Sequence, residues 1–287
     1  YNSLTANTGN YNIAIGTETL MAQTSGERNT AVGYQAGRSN VTGDYNTFFG
    51  FSAGRGATSG VYHNNVGIGY NALYSVNTAN KNTAVGAHAL YQIDKGVSSV
   101  AVGEIAGFYA TGSYNTFVGS EAGKGGTTSA PFSSGIRNTA VGYQALTGFT
   151  TGHSNTAFGV QSLRVVTTGL SNAALGIYSL YDLTTGYQNT ALGQSAGENI
   201  TDGNNNVLVG YRAGYTGTSP DGSIGIGYRA LYNNTADGSV AIGYDAGFAL
   251  TSGQYNTAIG YEAGLAMTDN DGNTILGYQA FKTANTG

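Results

Sequence analysis

The strongest constraint on the fold is a repeat of 17 residues that runs through the whole chain. Each copy contains a glycine preceded by an apolar residue, and eleven of the fifteen intervals between these marker glycines are 17 residues long. A helical-hairpin repeat needs roughly 34 residues, so the unit is too short for one. We therefore expect short coils that stack on one another. The marker glycines are Gly16, Gly33, Gly50, Gly69, Gly86, Gly103, Gly119, Gly142, Gly159, Gly176, Gly193, Gly210, Gly227, Gly243, Gly260 and Gly277.

Fixed residue types around the marker glycine predict a β-strand that ends in a tight turn. Well-preserved copies read NTAVGYQAG at 29–37 and NTAIGYEAG at 256–264. The residue before the glycine is apolar in all sixteen copies, and the residue between it and the preceding Thr, Val, Ile or Ala is usually small. A strand without a clearly polar face is typical of burial on both sides. We expect the apolar residues to form a core column, and a second glycine turn, as at Gly152, to accompany a second strand.

Composition supports an ordered β-protein and excludes several function classes. Charged residues make up 9% of the chain, against roughly 25% in an average soluble domain. Disordered chains usually carry high net charge and few aromatic residues, whereas this chain has a net charge of −4 and 22 tyrosines. Its Lys and Arg residues are scattered, which excludes a groove that tracks nucleic-acid phosphates. Cysteine is absent, so disulfides and thiolate metal sites are excluded.

Three copies carry a motif that resembles a known family. They read NNVGIGYNAL at 64–73, GSIGIGYRAL at 222–231 and GSVAIGYDAG at 238–247. These units are similar to the head repeats of trimeric autotransporter adhesins, which centre on an N-S-V-A-I-G-x-x-S-x-A-like core, and to repeats in some phage tail-fibre proteins. The similarity covers nearly the whole chain, although this sequence favours N-T-A-V over N-S-V-A. The resemblance implies a left-handed parallel β-roll, with three chains side by side at a cell or virion surface.

The repeat and the resemblance together predict both fold and function. We expect an all-β parallel β-solenoid, or β-roll, of about sixteen coils that forms a single repeat domain over residues 1–287 and a homotrimer. The chain begins and ends inside the repeat, which predicts a section of a longer fibre. The expected function is that of a structural and adhesive segment, either a surface adhesin head or a tail-fibre shaft, which attaches through repeated weak contacts. The expected partners are further copies of the chain and a host-surface glycan or protein, with no nucleic acid, membrane insertion or cofactor.

Other function classes are alternatives, chiefly a carbohydrate-binding or ice-binding solenoid. An ice-binding array of Thr-x-Thr pairs is disfavoured, because Thr30 and its equivalents share their strand face with an apolar residue. A depolymerase would need carboxylates in irregular loops, and the segments 54–64 and 123–137 contain no Asp or Glu. Asp245 and Glu262 lie at a regular repeat position, which disfavours a glycosidase pair. We therefore expect no enzymatic activity.

Three groups of residues are candidates for ligand binding. The first is a row of tyrosines after the marker glycine in five successive coils, which could bind sugar rings, although mutual stacking is the favoured interpretation. The row consists of Tyr211, Tyr228, Tyr244, Tyr261 and Tyr278. The other two groups lie in insertions at 51–64 and 120–137, since insertions in solenoids frequently lie on the binding face. They are Arg55, Tyr62 and His63 in the first insertion, and Lys124, Phe132 and Arg137 in the second.

Neither the remaining charged residues nor the histidines predict a further site. Arg229 and Asp245 occupy the same repeat position in consecutive coils and could pair across coils or between chains. The three histidines of the chain lie at different repeat positions in distant coils, so they cannot converge on one metal ion.

Overall fold

The structure, a computed structural model, describes residues 3–4, 7–56, 60–126 and 132–283. Across these residues the chain is an all-β parallel solenoid with sixteen strands and no helix, which confirms the predicted fold class. Accordingly, this part of the chain has no helix long and apolar enough to cross a membrane. The chain divides into two compact units, Tyr1–Thr151 and Gly152–Gly287. The sequence gives no sign of this division, because the 17-residue period continues across it.

Each unit contains eight three-residue strands, which pair in parallel with their neighbours in chain order. In the first unit they are β1 (Ile13–Ile15), β2 (Thr30–Val32), β3 (Thr47–Phe49), β4 (Val66–Ile68), β5 (Thr83–Val85), β6 (Val100–Val102), β7 (Thr116–Val118) and β8 (Thr139–Val141). In the second unit they are β9 (Thr156–Phe158), β10 (Ala173–Leu175), β11 (Thr190–Leu192), β12 (Val207–Val209), β13 (Ile224–Ile226), β14 (Val240–Ile242), β15 (Thr257–Ile259) and β16 (Thr274–Leu276). The register aligns identical repeat positions, so that Ala241 lies opposite Ala258.

The coil contains one strand rather than the two that the sequence predicts. The segment with the second glycine turn forms bends, and its isolated bridges among the described residues are Asn40–Gly60 and Ala110–Ser133. A residue in the left-handed conformation five positions before each marker glycine, such as Gln188 with φ of 57°, interrupts the extended backbone there. Extended geometry is thus restricted to the three residues before each marker glycine.

The marker glycine recurs because the backbone requires it. All sixteen marker glycines have φ between 125° and 142°, a region that L-residues rarely adopt. A Cβ on Gly86 would also lie 2.5 Å from the carbonyl oxygen of Gly103 in the next coil. Successive coils therefore approach closely at this turn, and a side chain would force them apart.

Small strand residues and larger turn residues fill the interior of the coil together, which corrects the predicted core. The middle residue of each strand points inward, and Ala31 and Ala140 are fully buried. The apolar residue before the marker glycine points outward, so that Phe49 and Leu175 are 58% and 50% exposed. The prediction that these apolar residues form the core column of the chain is therefore wrong. A coil of 17 residues encloses a narrow space, which the strand alanines share with turn residues such as Leu90.

Both insertions adjoin coils with an enlarged interior. Phe48 and Phe117 replace the usual small residue of the strand, and both are fully buried. Room for the rings comes from Gly54 and Gly123, where an added Cβ would collide with the phenylalanine side chains. Tyr62, from the first insertion, packs on Phe48 with a ring-centroid distance of 6.0 Å and an interplanar angle of 65°. The first insertion thus contributes to core packing.

Buried asparagines four positions before the marker glycine connect successive coils, and we call this row the asparagine ladder. The Nδ2 group of Asn189 donates to the Oδ1 atom of Asn172 at 3.1 Å and to the carbonyl of Gly203 at 2.7 Å. Its Oδ1 atom accepts hydrogen bonds from the backbone N–H and the Nδ2 group of Asn206, at 3.1 and 2.9 Å. Asparagine occupies this position in thirteen of the sixteen copies, since it can donate and accept simultaneously along the stack.

Candidate functional surfaces

The largest candidate surface is the outward side of the strands, which we call the strand face. It consists of the residues three and one before each marker glycine, thirty-two positions that include no charged residue. Many of its large apolar side chains are more than a third exposed. They are Ile13, Ile15, Phe49, Ile68, Val102 and Val118 in the first unit, and Phe158, Leu175, Leu192, Ile226, Ile242 and Leu276 in the second. Extended apolar exposure of this kind marks an interaction surface.

The second unit carries the five predicted tyrosines as a continuous stack, the tyrosine ladder. Neighbouring rings lie 4.8–5.5 Å apart between centroids, with interplanar angles of 7–20°. The ring faces of Tyr228, Tyr244 and Tyr261 are therefore covered by their neighbours, while these side chains are 39–43% exposed. A sugar ring stacks on an aromatic face, and these three rings leave it no free face. The geometry favours the interpretation that the tyrosines support one another along the coil axis.

A second aromatic row runs beside the tyrosine ladder in the same unit. Tyr232 stacks on Tyr215 at 5.1 Å and on Phe248 at 5.0 Å. The guanidinium carbon of Arg212 lies 5.2 Å from the ring centroid of Tyr211 and 4.9 Å from that of Tyr215. The arginine thus bridges the two rows through cation–π contacts.

The next arginine in this position is part of an ion pair. Arg229 lies 5.0 Å from the Tyr228 ring and 4.7 Å from the Phe248 ring. Its Nε atom donates to Oδ1 of Asp245 at 2.8 Å, and this hydrogen bond raises the pKa of the arginine. Asp245 is nearly buried at 5% exposure. The pairing across coils that the sequence allowed is therefore present within one chain.

The first unit has its own aromatic column, which begins at one insertion and ends at the other. Its stacked core is Tyr74, Tyr91 and Phe108, with centroid distances of 4.8 and 4.7 Å. Tyr109 packs on Phe108 at 4.6 Å and continues to Phe132 of the second insertion at 5.9 Å. The sequence interpretation missed the stacked core, although its three residues share the fifth position after the marker glycine in consecutive coils.

Arg55 caps this column from the side of the first insertion. Its guanidinium carbon lies 5.1 Å from the Tyr74 ring centroid, and Nη1 donates to the Tyr74 hydroxyl at 2.9 Å. Nε donates to Oε1 of Gln35 at 3.1 Å. Arg55 and Phe132, two of the predicted binding residues, thus lie on the same aromatic column.

Histidine 88 lies against this column in a desolvated environment. Its ring centroid is 5.6 Å from that of Tyr91, 5.8 Å from that of Phe108 and 5.1 Å from that of Tyr70. Burial lowers the pKa of His88, and the nearby Glu104 carboxylate partly opposes the shift. His88 lies on the outside of the coil, yet its aromatic neighbours partly remove its ring from water.

The remaining insertion candidates do not converge on one site. Tyr62 is fully buried, and its hydroxyl donates to the Gly54 carbonyl at 2.8 Å. The enlarged coil interior takes up its ring, so Tyr62 offers no exposed surface to a ligand in this structure, and its role in binding stays a prediction. Burial also raises the pKa of the Tyr62 hydroxyl. Residues 57–59 and 127–131 of the two insertions lie outside the described residues.

The polar candidates of the insertions mostly serve local structure. His63 accepts a hydrogen bond from the Asp44 backbone N–H at its Nδ1 atom, at 2.9 Å. Lys124 lies 3.1 Å from the Oε2 atom of Glu121. Arg137 is exposed, and its backbone adopts the left-handed conformation with φ of 57°. Among the described residues, the Arg137 side chain has no ion-pair partner, whereas Lys124 is paired with Glu121.

Comparison with known proteins does not identify a family for this chain. No protein-family model matches the chain, and no match was found among curated proteins. In the described residues, no group of three or more His, Cys, Asp or Glu side chains is arranged to hold a metal ion. The strand face and the outward aromatic rows are the candidate functional surfaces of the described residues.

Proposed function

We propose that this chain is a structural and adhesive segment of a homotrimeric fibre on a cell or virion surface. The observation that carries the proposal is the strand face, which points outward, is free of charge and carries at least one apolar residue in every coil of both units. Full burial of a side chain such as Val, Ile or Phe stabilises by about 1.5–3 kcal/mol. One such residue per coil offers a large driving force for association.

A further copy of the chain is the partner that fits this face best. The exposed side chains recur once per coil in strict register, so a matching surface must have the same spacing. Another copy of the chain has the same spacing because it has the same repeat. The strand backbone is already hydrogen-bonded along the stack, which leaves side-chain packing as the mode of contact. Closed symmetry covers the face of every copy, and the resemblance of the repeat to trimeric adhesin heads supports three copies.

In this arrangement the strand faces meet at the centre, and the sides of the coils remain available for attachment. The aromatic column with Arg55 and Phe132 and the rows around Arg212 would then be displayed three times on each fibre. Repetition of weak contacts can raise avidity by about 10²–10⁴ over a single contact. Association of three chains would therefore be sufficient to turn weak single contacts into adhesion.

Light scattering tests the association directly. We expect the purified chain to have about three times its mass of 29.3 kDa. Ile242→Asp places a charge on the strand face and should yield folded monomers, because a charge is costly in an apolar interface. The matched control is Ser252→Asp, since Asp202 and Asp269 occupy the same outward repeat position in other coils. A monomeric wild-type chain at working concentrations would contradict the proposal.

Binding to a glycan array and to host-surface proteins separates adhesion from scaffolding. The assembled chain should bind its target at least about 100-fold more tightly than the Ile242→Asp monomer. Equal affinity of the two forms would support the alternative of a carbohydrate-binding solenoid with an independent site in each chain. Absence of binding by either form would contradict the adhesive role and leave the structural one.

A further inference from the structure

We propose that the stacked tyrosines are a site of oxidative modification, at which consecutive coils become joined by dityrosine bonds. The co-reactant is a one-electron oxidant, such as a haem peroxidase supplied with hydrogen peroxide. The inference rests on ring geometry within one chain and does not depend on the proposed trimer.

The stack holds phenol rings of consecutive coils close together and nearly parallel. Tyr228 and Tyr244 lie 4.8 Å apart with an interplanar angle of 7°, and Tyr244 and Tyr261 lie 5.0 Å apart with an angle of 10°. Tyr211 and Tyr278 extend the tyrosine ladder at its two ends, with distances of 5.3 and 5.5 Å. Radical coupling of phenols requires the ortho carbons of two rings to approach each other, and the solenoid register holds neighbouring rings side by side before any oxidant arrives.

Two further pairs meet the same condition outside the tyrosine ladder. Tyr74 and Tyr91 lie 4.8 Å apart with an angle of 1°, and Tyr215 and Tyr232 lie 5.1 Å apart with an angle of 24°. These two pairs extend the proposal to the first unit and to the second aromatic row.

The reaction balances with the oxidant named above. Each of two neighbouring phenols loses one electron and one proton and becomes a phenoxyl radical. The radicals couple through their ortho carbons to form one carbon–carbon bond, and loss of the two ortho hydrogens as protons to the phenoxyl oxygens restores both aromatic rings. Hydrogen peroxide accepts the two electrons and two protons and is reduced to two water molecules. The chain thus loses the mass of two hydrogen atoms for each bond.

Partial exposure makes the site accessible. Tyr228, Tyr244 and Tyr261 are about 40% exposed although their ring faces are covered, so part of each residue is open to solvent. An oxidant can therefore act at any ring in the row. Because the rings are in contact, a radical formed on one of them has a phenol partner in the next coil.

The first unit supplies an internal comparison in which the contact is missing. Tyr34 stacks on Phe51 at 5.0 Å, Phe51 stacks on Tyr70 at 5.4 Å, and the next neighbour of Tyr70 is His88. These two tyrosines occupy the same repeat position as the tyrosine ladder, yet neither has a phenol ring as its stacked neighbour. We expect no dityrosine bond at this row.

Photo-oxidation followed by peptide mapping tests the proposal. The folded chain would be treated with tris-bipyridyl ruthenium and persulfate under brief visible light, then digested and analysed for crosslinked peptides and dityrosine fluorescence. We expect bonds between adjacent members of the ladder, such as Tyr228 and Tyr244. Tyr244→Phe removes two of the four ring contacts of the ladder, so the bonds of Tyr244 to Tyr228 and Tyr261 should be lost and the initial rate of crosslinking in the ladder should fall by about half.

Two variants of the interrupted row provide the matched controls. Tyr70→Phe should leave the crosslink yield unchanged, because Tyr70 has no stacked phenol partner. Phe51→Tyr should create new bonds to Tyr34 and Tyr70, since the ring stack is already in place. Circular dichroism before oxidation would verify that each variant keeps the wild-type fold.

Several outcomes would overturn the inference. These are equal initial rates of ladder crosslinking in the wild type and Tyr244→Phe, no new bond in Phe51→Tyr, or crosslinks found only between chains. A map that is unchanged when the chain is oxidised in denaturant would overturn it too, because the coil register would then have no role. Crosslinked chains should melt at a higher temperature than untreated ones, since each bond closes a loop of one coil in the unfolded chain.

Discussion

The two sides of each strand differ in size, burial and role, although they alternate within three residues. The inward position holds mostly Ala or Gly and is fully buried, as at Ala140. The outward positions hold larger side chains that are half-buried or exposed, as at Val141 and Ile242. The inward residue is small because it must fit a narrow coil. The outward residue before the marker glycine is apolar without any such restriction inside its own chain, which is why the proposed function places its partner in another copy.

The interactions that fold the chain thus differ from those that the proposed assembly would use. Alanine packing and the asparagine ladder operate within the coil stack. The strand face adds little to the fold of one chain, because its side chains remain in contact with solvent. Substitutions on the two sides should therefore have different consequences for folding and for association.

The largest expected effect is that of Ala140→Asp. The carboxylate would enter a fully buried position, and an unpaired buried charge costs about 3–5 kcal/mol. We expect loss of cooperative unfolding, or a lower melting temperature, in circular dichroism. Wild-type melting of this variant would show that the strand interior is not the core.

A somewhat smaller effect is expected for Asn189→Ala. The substitution removes the side chain that links Asn172, Gly203 and Asn206. It leaves a buried carbonyl and a buried N–H group without their partners, which costs about 2–3 kcal/mol. Urea denaturation would measure the loss against Thr190→Ala, an outward neighbour with an expected change within about 1 kcal/mol. Equal losses would mean that the asparagine ladder is dispensable.

Val141→Asp tests the outward side of the same strand. Taking the apolar residue for core predicts that this change unfolds the stack, whereas its outward position predicts a folded chain. In dissociated chains we expect a change in stability within about 1 kcal/mol of wild type, and in light scattering a loss of association. Ala140→Asp and Val141→Asp alter adjacent residues of β8, so identical melting curves would remove the distinction between the two sides.

The smallest expected effect concerns the pH dependence that His88 introduces. Burial holds its folded-state pKa below the unfolded value of about 6.5. As the pH falls through that value, the unfolded chain binds a proton that the folded chain does not, so stability decreases. The contribution of neutral His88 to the free energy of unfolding is complete at higher pH and declines as the pH drops below about 6.5.

Urea denaturation between about pH 5 and 8 would measure this decline. The control is His88→Gln, because glutamine occupies the same repeat position at Gln35 and Gln144 in other coils. The variant should lose part of the pH dependence, while His63 and His153 remain. Parallel curves for the two proteins would show that the aromatic stack does not desolvate His88.

The sequence predicts the coil but not the direction in which its strand faces. The alternation of side chains along a strand places Thr30 and Val32 on one face and Ala31 on the opposite face, but it does not determine which face points into the coil. The larger residue is the natural choice for a core. The structure reverses it: the strand contributes Ala31 to the interior, and the larger buried side chains, such as Leu90, come from the turn that follows the marker glycine. Where Phe48 does point inward, glycine at position 54 leaves room for it.

Periodic features of the candidate surfaces were easier to predict than insertions. The tyrosine ladder follows from repeat position alone, because identical positions of consecutive coils must stack when the register is constant. The path of an insertion depends on what its coil has to enclose. Tyr62 and His63 are adjacent in sequence, yet one fills the core and the other caps the Asp44 backbone at the surface. No repeat position could indicate this difference.

The asparagine ladder also determines how the chain can reach its fold. Its hydrogen bonds join residues that are only 14 or 17 positions apart, such as Asn189 with Gly203 and with Asn206. Divided by the chain length of 287 residues, a separation of 17 corresponds to about 0.06, which is below the relative contact order of about 0.07–0.12 of fast-folding helical bundles. Growth of the solenoid from any formed coil, one neighbour at a time, therefore avoids the long loop closures that slow most β-proteins.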